Sequence, residues 1–208
     1  MKKTALLLSL AIFGTTVLCL IPAISYAKAT PVAKITVTSP AFKSLKDIPA
    51  KYAKPSDKLP YNSNISIPLN WKVNKAAAKK INTFAITIVD RNVQANKWVH
   101  LIATNIPADA RKLDEGALSN KSLLPEGVKI AKNSFGNFSY DGPMPPAGKG
   151  NHIYEIMVYG LDWNSLAIGD DLEYSEKDFI EFLGKEHIVA KGKLRGKFRT
   201  PGIVLSGE

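Results

Sequence analysis

Along the chain, apolar and β-branched residues either alternate with polar ones or run together unbroken, and these patterns predict a protein built mainly of strands. Lys34 to Thr38 alternates and reads as an opening strand. Ile65 to Trp71 reads as a second, with Pro68 confining it to an edge or a bulge. Thr83 to Val89 is unbroken and apolar, the pattern of a central strand buried on both faces, and it ends at Asp90. Trp98 to Thr104 follows, closed by Asn105-Ile106-Pro107; His152 to Leu161 is a further strand, and a last one runs from about His187 to Arg199. Residues 43 to 64 and 108 to 150 are dense in turn signals and read as irregular. Ala76-Ala77-Ala78-Lys79-Lys80 suits a single helical turn. A longer helix opens at Ser175 with Asp178 three residues on, carries Phe179, Phe182 and Leu183 as its apolar stripe, and stops at Gly184.

The N-terminus has a different pattern. Lys2 and Lys3 precede an apolar run from Ala5 to Leu20, and Ser25-Tyr26-Ala27 places small residues three and one before a cut. This predicts a secretory signal peptide, residues 1–27, cleaved after Ala27, followed by one domain, 28–208. An uncleaved anchor and a lipoprotein signal at Cys19 are the alternatives. The run is short for a span of about 20 residues, and Thr16-Val17-Leu18 lacks the small residues expected before a lipidated cysteine. Cleavage of 27 of the 208 residues leaves 181, lowers the net charge from +10 to +8 by removing Lys2 and Lys3, and takes away Cys19, the one cysteine. The expected location is periplasmic or secreted, where a chain without thiols is indifferent to redox conditions. The positive charge favours acidic partners without naming one.

Strand parity selects a candidate site. Side chains two apart share a face, so Trp98 and His100 point one way with Ile102 and Thr104 behind them, and His152 and Tyr154 share a face with Ile156 and Val158 behind. Each strand thus begins polar or aromatic and continues apolar, as a pocket at the mouth of a sheet requires, and Asp90 at the end of its own strand is placed to join. A histidine near a strand end is also commonly a packed residue held by one hydrogen bond, and an aspartate after a strand is commonly a turn residue.

The order of several short motifs resembles the phosphatidylethanolamine-binding protein family, in its bacterial Raf-kinase-inhibitor-like branch. They are Ile65-Ser66-Ile67-Pro68-Leu69-Asn70-Trp71, Val89-Asp90, Trp98-Val99-His100, Asn105-Ile106-Pro107-Ala108, Leu113-Asp114-Glu115-Gly116, Asn133-Ser134-Phe135-Gly136, Tyr140-Asp141-Gly142-Pro143-Met144-Pro145-Pro146-Ala147-Gly148, His152-Ile153-Tyr154 and Tyr159-Gly160-Leu161-Asp162. The similarity runs from about Lys34 to Arg199. It implies a mainly β, β-sandwich-like fold with a few short helices, and a small pocket for phosphate-like anions such as a phospholipid headgroup. On that resemblance His100 and His152 are the pocket histidines and Asp90 the pocket acid. Trp98 and Tyr154 line the wall, and Gly142 and Met144 lie on the rim loop, the Met144 N–H toward the anion. Two positions depart from the family's pattern: its Asp-Pro-Asp-Ala-Pro is here Asp90-Arg91-Asn92-Val93-Gln94, and the arginine after the second histidine is Ile153.

Imidazole donates from both nitrogens when protonated, so phosphate affinity is expected to rise as pH falls from about 7.5 to 6. Asp90 is expected to hold a histidine rather than touch the anion. No catalytic residue, metal or cofactor is expected: Gly-x-Ser-x-Gly and a mature cysteine are missing, and the histidine spacing is not that of a helical zinc motif. The function expected is therefore a ligand-binding protein. The alternatives are a protein-interaction module inhibiting a protease or kinase through the pocket rim, and a cryptic hydrolase. Near the C-terminus Lys191, Lys193, Arg195, Lys197 and Arg199 alternate with Gly192, Leu194, Gly196 and Phe198, so all five cations share a face. That stripe suits peripheral contact with an anionic membrane, or equally an exposed strand kept unpaired by lysines. Nucleic acid is not expected, because no aromatics interleave the basic face.

Overall fold

The computed structural model describes residues 31–57, 59–60, 62–92, 97–168 and 173–201. The predicted signal peptide, Cys19, Val93 and Gln94 lie outside the described residues. The strands among them are β1 (Ala33–Lys34), β2 (Thr36–Thr38), β3 (Leu69–Lys72), β4 (Thr83–Asp90), β5 (Val99–Pro107), β6 (Lys112–Leu113), β7 (Lys129–Ile130), β8 (His152–Leu161) and β9 (Ile188–Phe198). The helices are α1 (Lys75–Ala78) and α2 (Glu176–Leu183), with short 3-10 turns at Ala50–Tyr52, Lys121–Leu123 and Lys185–His187.

Six strands form one sheet in the order β1-β9-β8-β4-β5-β7, and three form a second in the order β2-β3-β6. Every residue of β4 is buried, as its unbroken apolar run predicts. It sits between β5 and β8, antiparallel to both. One core lies between the sheets, joining Val37, Leu69 and Trp71 of the small sheet to Phe84, Ile86, Ile88, Leu101, Ile156 and Val158 of the large one. A second core lies on the other face of the large sheet, where Phe179 and Leu183 of α2 pack against Ala85, Val99, Ile102, Tyr159 and Leu161.

The predicted opening strand is two strands in two sheets. β1 pairs parallel with β9, and β2 pairs antiparallel with β3. Between them Ile35 is buried and donates its N–H to Lys191 O at 2.9 Å. Gly192 makes the crossing possible, since a Cβ there would stand 1.9 Å from the Ile35 carbonyl oxygen. The main chain of Leu45 to Ile48 then continues along β9, with Leu45 N–H on Arg195 O and Ile48 N–H on Lys197 O at 2.7 Å each, and Lys197 N–H on Lys46 O at 2.9 Å.

The second predicted strand begins only at Leu69, after Pro68, which has no N–H to give a ladder. In α2 the Ser175 hydroxyl accepts the Asp178 N–H and donates to the Asp178 carboxylate; such a cap is worth about 0.5–2 kcal/mol. Gly184, at φ +68°, ends the helix. Phe182 leaves the predicted stripe: it is exposed and packs beside Tyr174, while Phe179 and Leu183 face the core. Among the described residues no helix is long and apolar enough to cross a membrane.

Candidate functional site

Asp90, His100, His152 and Tyr154 come together, from three adjacent strands. Asp90 ends β4 opposite Tyr154 of β8. Its carboxylate is buried; one oxygen accepts the Asn92 N–H at 2.8 Å and the other accepts the His152 Nδ1–H at 2.7 Å. His152 opens β8, and two residues on Tyr154 shares its face. The Tyr154 ring meets His100 edge-on, with centroids 5.2 Å apart.

His100 reaches this place by a bulge. Ile88 opposes Leu101 while Val89 opposes Val99, so His100 is an extra residue in β5. The bulge resets parity: Val99 and Ile102 face the helix-side core, and Leu101 and Ala103 face the core between the sheets. The expectation that Ile102 stands behind His100 on one face is therefore overturned. The matching expectation for β8 holds, since Tyr154, Ile156 and Val158 all face the core between the sheets.

The two imidazoles are held alike. His100 Nδ1–H donates to the Asp141 carbonyl at 2.8 Å, and a carbonyl can only accept, so Nδ1 carries the proton. Burial pushes the His100 pKa below the ordinary histidine value, against the opposing pull of the Asp141 carbonyl and the Asp90 charge. At neutral pH its Nε2 is thus an acceptor. The expected rise in phosphate affinity between about pH 7.5 and 6 therefore does not come from His100. The lowered pKa also sets a sign for stability. The unfolded chain binds a proton at His100 near pH 6.5 that the folded chain does not, so stability falls as pH drops below about 6.5, by up to about 1.4 kcal/mol per unit. Thermal melts between pH 7.5 and 5 should show this slope, and His100→Asn should flatten it. The carboxylates with lowered pKa values act only below about pH 4.5.

Neither Nε2 has a hydrogen-bond partner of good geometry among the described residues, although the Gly142 main chain also bears on His100. The Tyr154 hydroxyl is buried without a hydrogen-bond partner, with the Asp90 carboxylate and the Met144 main chain the polar groups that bear on it. Burial first and the Asp90 charge second raise the phenol's pKa, so it stays a neutral donor. Met144 is exposed on the Gly142–Pro146 loop. Gly142 donates its N–H to Asn64 Oδ1 at 2.7 Å, so that amide is already used. A Cβ at this position would lie 1.9 Å from the Tyr52 carbonyl oxygen; glycine is required here by close approach. Trp98 does not meet His100 directly: Phe135 packs edge-on against both, at 5.3 Å from each ring.

Sequence reasoning passed over the residues beneath the histidine. The buried Asp141 carboxylate accepts from Lys54 Nζ and Asn64 Nδ2 on one oxygen, and from Asn133 Nδ2 (2.9 Å) and Asn137 Nδ2 (2.7 Å) on the other. Burial raises its pKa, but Lys54, Asn137 and Asn133 outweigh that and hold it below the ordinary value. Asn133, Phe135 and Asp141 sit within motifs that carried the family resemblance, a signal of position without role. Lys54, in an irregular segment, had none.

On the opposite face of the large sheet, Arg91 binds Glu176 through both terminal nitrogens at 2.5 and 2.6 Å and also pairs with Glu155. Glu155 in turn holds Arg195 Nε at 2.6 Å and Lys193 Nζ at 3.6 Å. The alternation of the C-terminal cations survives in the burial pattern of β9, but Lys193 and Arg195 are partly neutralised by this cross-strand acid. Nor is β9 an exposed edge, because β8, β1 and the Leu45–Ile48 main chain pair with it. No group of three metal-ligating side chains occurs among the described residues.

Comparisons place this geometry among known proteins. The family model described as phosphatidylethanolamine-binding protein matches residues 38–199. A protein of Methanothermobacter thermautotrophicus named UPF0098 is 31% identical over 161 residues, covering 76% of this chain and 95% of that protein. The Escherichia coli UPF0098 protein YbhB is 34% identical over 117 residues, covering 51% and 72%. LppC of Mycobacterium tuberculosis, named a candidate lipoprotein, is 30% identical over 127 residues, and the match spans 61% of this chain and 55% of LppC. The crystal structure of E. coli YbcL, described as a member of the mammalian family, superposes with a TM-score of 0.69 at 23% identity, over 80% of this chain and 99% of YbcL. A homologue from Chlamydia trachomatis superposes at 0.61, also at 23% identity, over 80% and 98%. With nearly the whole strand framework matched and the fold shared, the chain belongs to the phosphatidylethanolamine-binding protein family.

Proposed function

We propose that this is a non-enzymatic, exported binding protein whose ligand is a phosphate-like anion held between His100, His152 and Tyr154. The observation that carries the reading is that both imidazoles are pinned through Nδ1, to Asp141 O and Asp90 Oδ2, leaving Nε2 of each without a partner beside a buried hydroxyl that also lacks one. A buried hydroxyl such as that of Tyr154 is costly to leave unsatisfied, and a polar ligand relieves it. The roles differ. When its ring is protonated, His152, with Asp90 behind it at Nδ1, donates from Nε2; the Tyr154 hydroxyl donates; neutral His100 accepts. The ligand therefore needs acceptor oxygens and one O–H of its own, which hydrogen phosphate or a phosphomonoester monoanion supplies and sulfate does not.

Calorimetric titration with inorganic phosphate and with sulfate near pH 7 tests this. Phosphate should bind at least about tenfold more tightly than sulfate, the worth of one charge-assisted hydrogen bond. His152→Ala should abolish binding of both. His100→Ala should bring phosphate down to the level of sulfate. Equal affinity for the two anions in the unmodified protein, or unchanged binding in His152→Ala, would remove the assignment. Export rests on the pattern of residues 1–27, with cleavage after Ala27, and the name of LppC is in keeping with an envelope location.

A further inference from the structure

The large sheet carries a second cleft, on the face away from the histidines. Its volume is about 570 Å³, within the range of small-molecule sites. β8 contributes Glu155, Met157 and Tyr159, which by parity face opposite to His152 and Tyr154. β9 contributes Lys191, Gly192 and Lys193; the segment from Lys34 to Val37 forms one side, and Arg91 closes another.

The charge here is unbalanced. Four cations, Lys34, Arg91, Lys191 and Lys193, line the cleft against one carboxylate, Glu155. That carboxylate is already shared between Arg91, Lys193 and Arg195, and the nearby Glu176 is engaged by Arg91 and Lys97. Lys34 and Lys191 have no acidic partner among the described residues. They are also direct neighbours, since Lys34 opposes Lys191 in the parallel β1–β9 pair and both are exposed. Like charges set opposite each other on adjacent strands destabilise a sheet, and a bound anion relieves that repulsion. The floor is different in character: Met157 is half-buried, and the Tyr159 ring is buried with its phenol pushed up to about 12 by desolvation, so it remains a neutral donor.

We infer that this cleft binds a small amphiphilic organic anion, its charged group between Lys34, Lys191 and Lys193 and its apolar body over Met157 and Tyr159. It is independent of the histidine site, and the experiment keeps the two apart. The probe is 1-naphthyl phosphate, a compact anion with a flat apolar body, and 1-naphthol is the uncharged control. Both are titrated into the protein carrying His152→Ala, followed by calorimetry and by amide chemical shifts. The phosphate should bind and 1-naphthol should not, with shifts centred on Thr36, Met157 and Lys193. Adding Lys34→Gln and Lys191→Gln should weaken binding about tenfold or more, while the unliganded melting temperature holds or rises because a repulsion is gone. Failure of the probe to bind the His152→Ala protein, equal binding of 1-naphthol, or affinity unchanged by the two lysine substitutions would each overturn the inference.

Discussion

Asp141→Asn should cost about 3–5 kcal/mol of folding stability, the usual result of breaking a buried charge cluster from one side. The carboxylate meets donors on both oxygens: Lys54 and Asn64 on one, Asn133 and Asn137 on the other. An asparagine keeps one acceptor and turns an N–H toward the remaining pair, whichever way the amide is set. Two donors then stay buried against a third. Since whole domains are stable by only about 5–15 kcal/mol, urea denaturation should show a large drop in the midpoint at constant slope. A change under about 1 kcal/mol would mean that water already satisfies the cluster. The damage should extend to the ligand site, because the Asp141 carbonyl fixes the His100 ring. The variant should lose the preference for phosphate over sulfate even where it is still folded.

Arg91→Met should cost a similar amount, about 3–5 kcal/mol, through a different route. Arg91 neutralises two carboxylates that are each largely buried, Glu155 and Glu176. Without it Glu155 keeps Arg195 and a longer contact to Lys193, and Glu176 keeps, among the described residues, only Lys97 at 3.7 Å. Arg91→Lys should rescue little, because one ammonium cannot span both acids as the planar guanidinium does. The pH dependence identifies the cause. Burial raises the Glu155 pKa, but Arg195 and Arg91 outweigh it and hold it below the ordinary value. Its contribution is therefore present above about pH 4.5 and lost as pH falls through the folded value. The deficit of Arg91→Met relative to the unmodified protein should shrink in that acidic range. A deficit independent of pH would point to lost packing of the arginine stem instead.

These two clusters show where reading from the chain stops. β4, β8 and the N-cap of α2 were legible because each is written in consecutive residues: an unbroken apolar run, an alternation, a Ser three places before an Asp. His100, His152, Asp90 and Tyr154 were legible as candidates through parity and through the family resemblance, and the structure brings them together. The exact face of β5 was not legible. Alternation counts every residue, and a bulge adds one that the partner strand does not match. The switch of the opening strand between sheets was hidden for a related reason: Lys34 to Thr38 alternates without a break, while the cause of the crossing is Gly192, far along the chain. Lys54 meets Asp141 across 87 residues of sequence, and Arg91 meets Glu176 across 85. Pairs so distant leave no local pattern. Arg91 also stands where the family resemblance leads one to expect proline, so its departure from the motif is what creates the network on the far face.

The run of main chain from Leu45 to Ile48 has a consequence for how the molecule behaves in a crowd. An eleven-residue strand at the rim of a twisted sheet is ordinarily a place where one molecule can seize another and begin a fibre. β1 shields only the start of β9, but Leu45, Lys46 and Ile48 claim hydrogen bonds farther along the same rim. A stretch that looks like idle loop thus acts as a sheath, and shortening it would be expected to turn a covered rim into an adhesive one before it altered any binding.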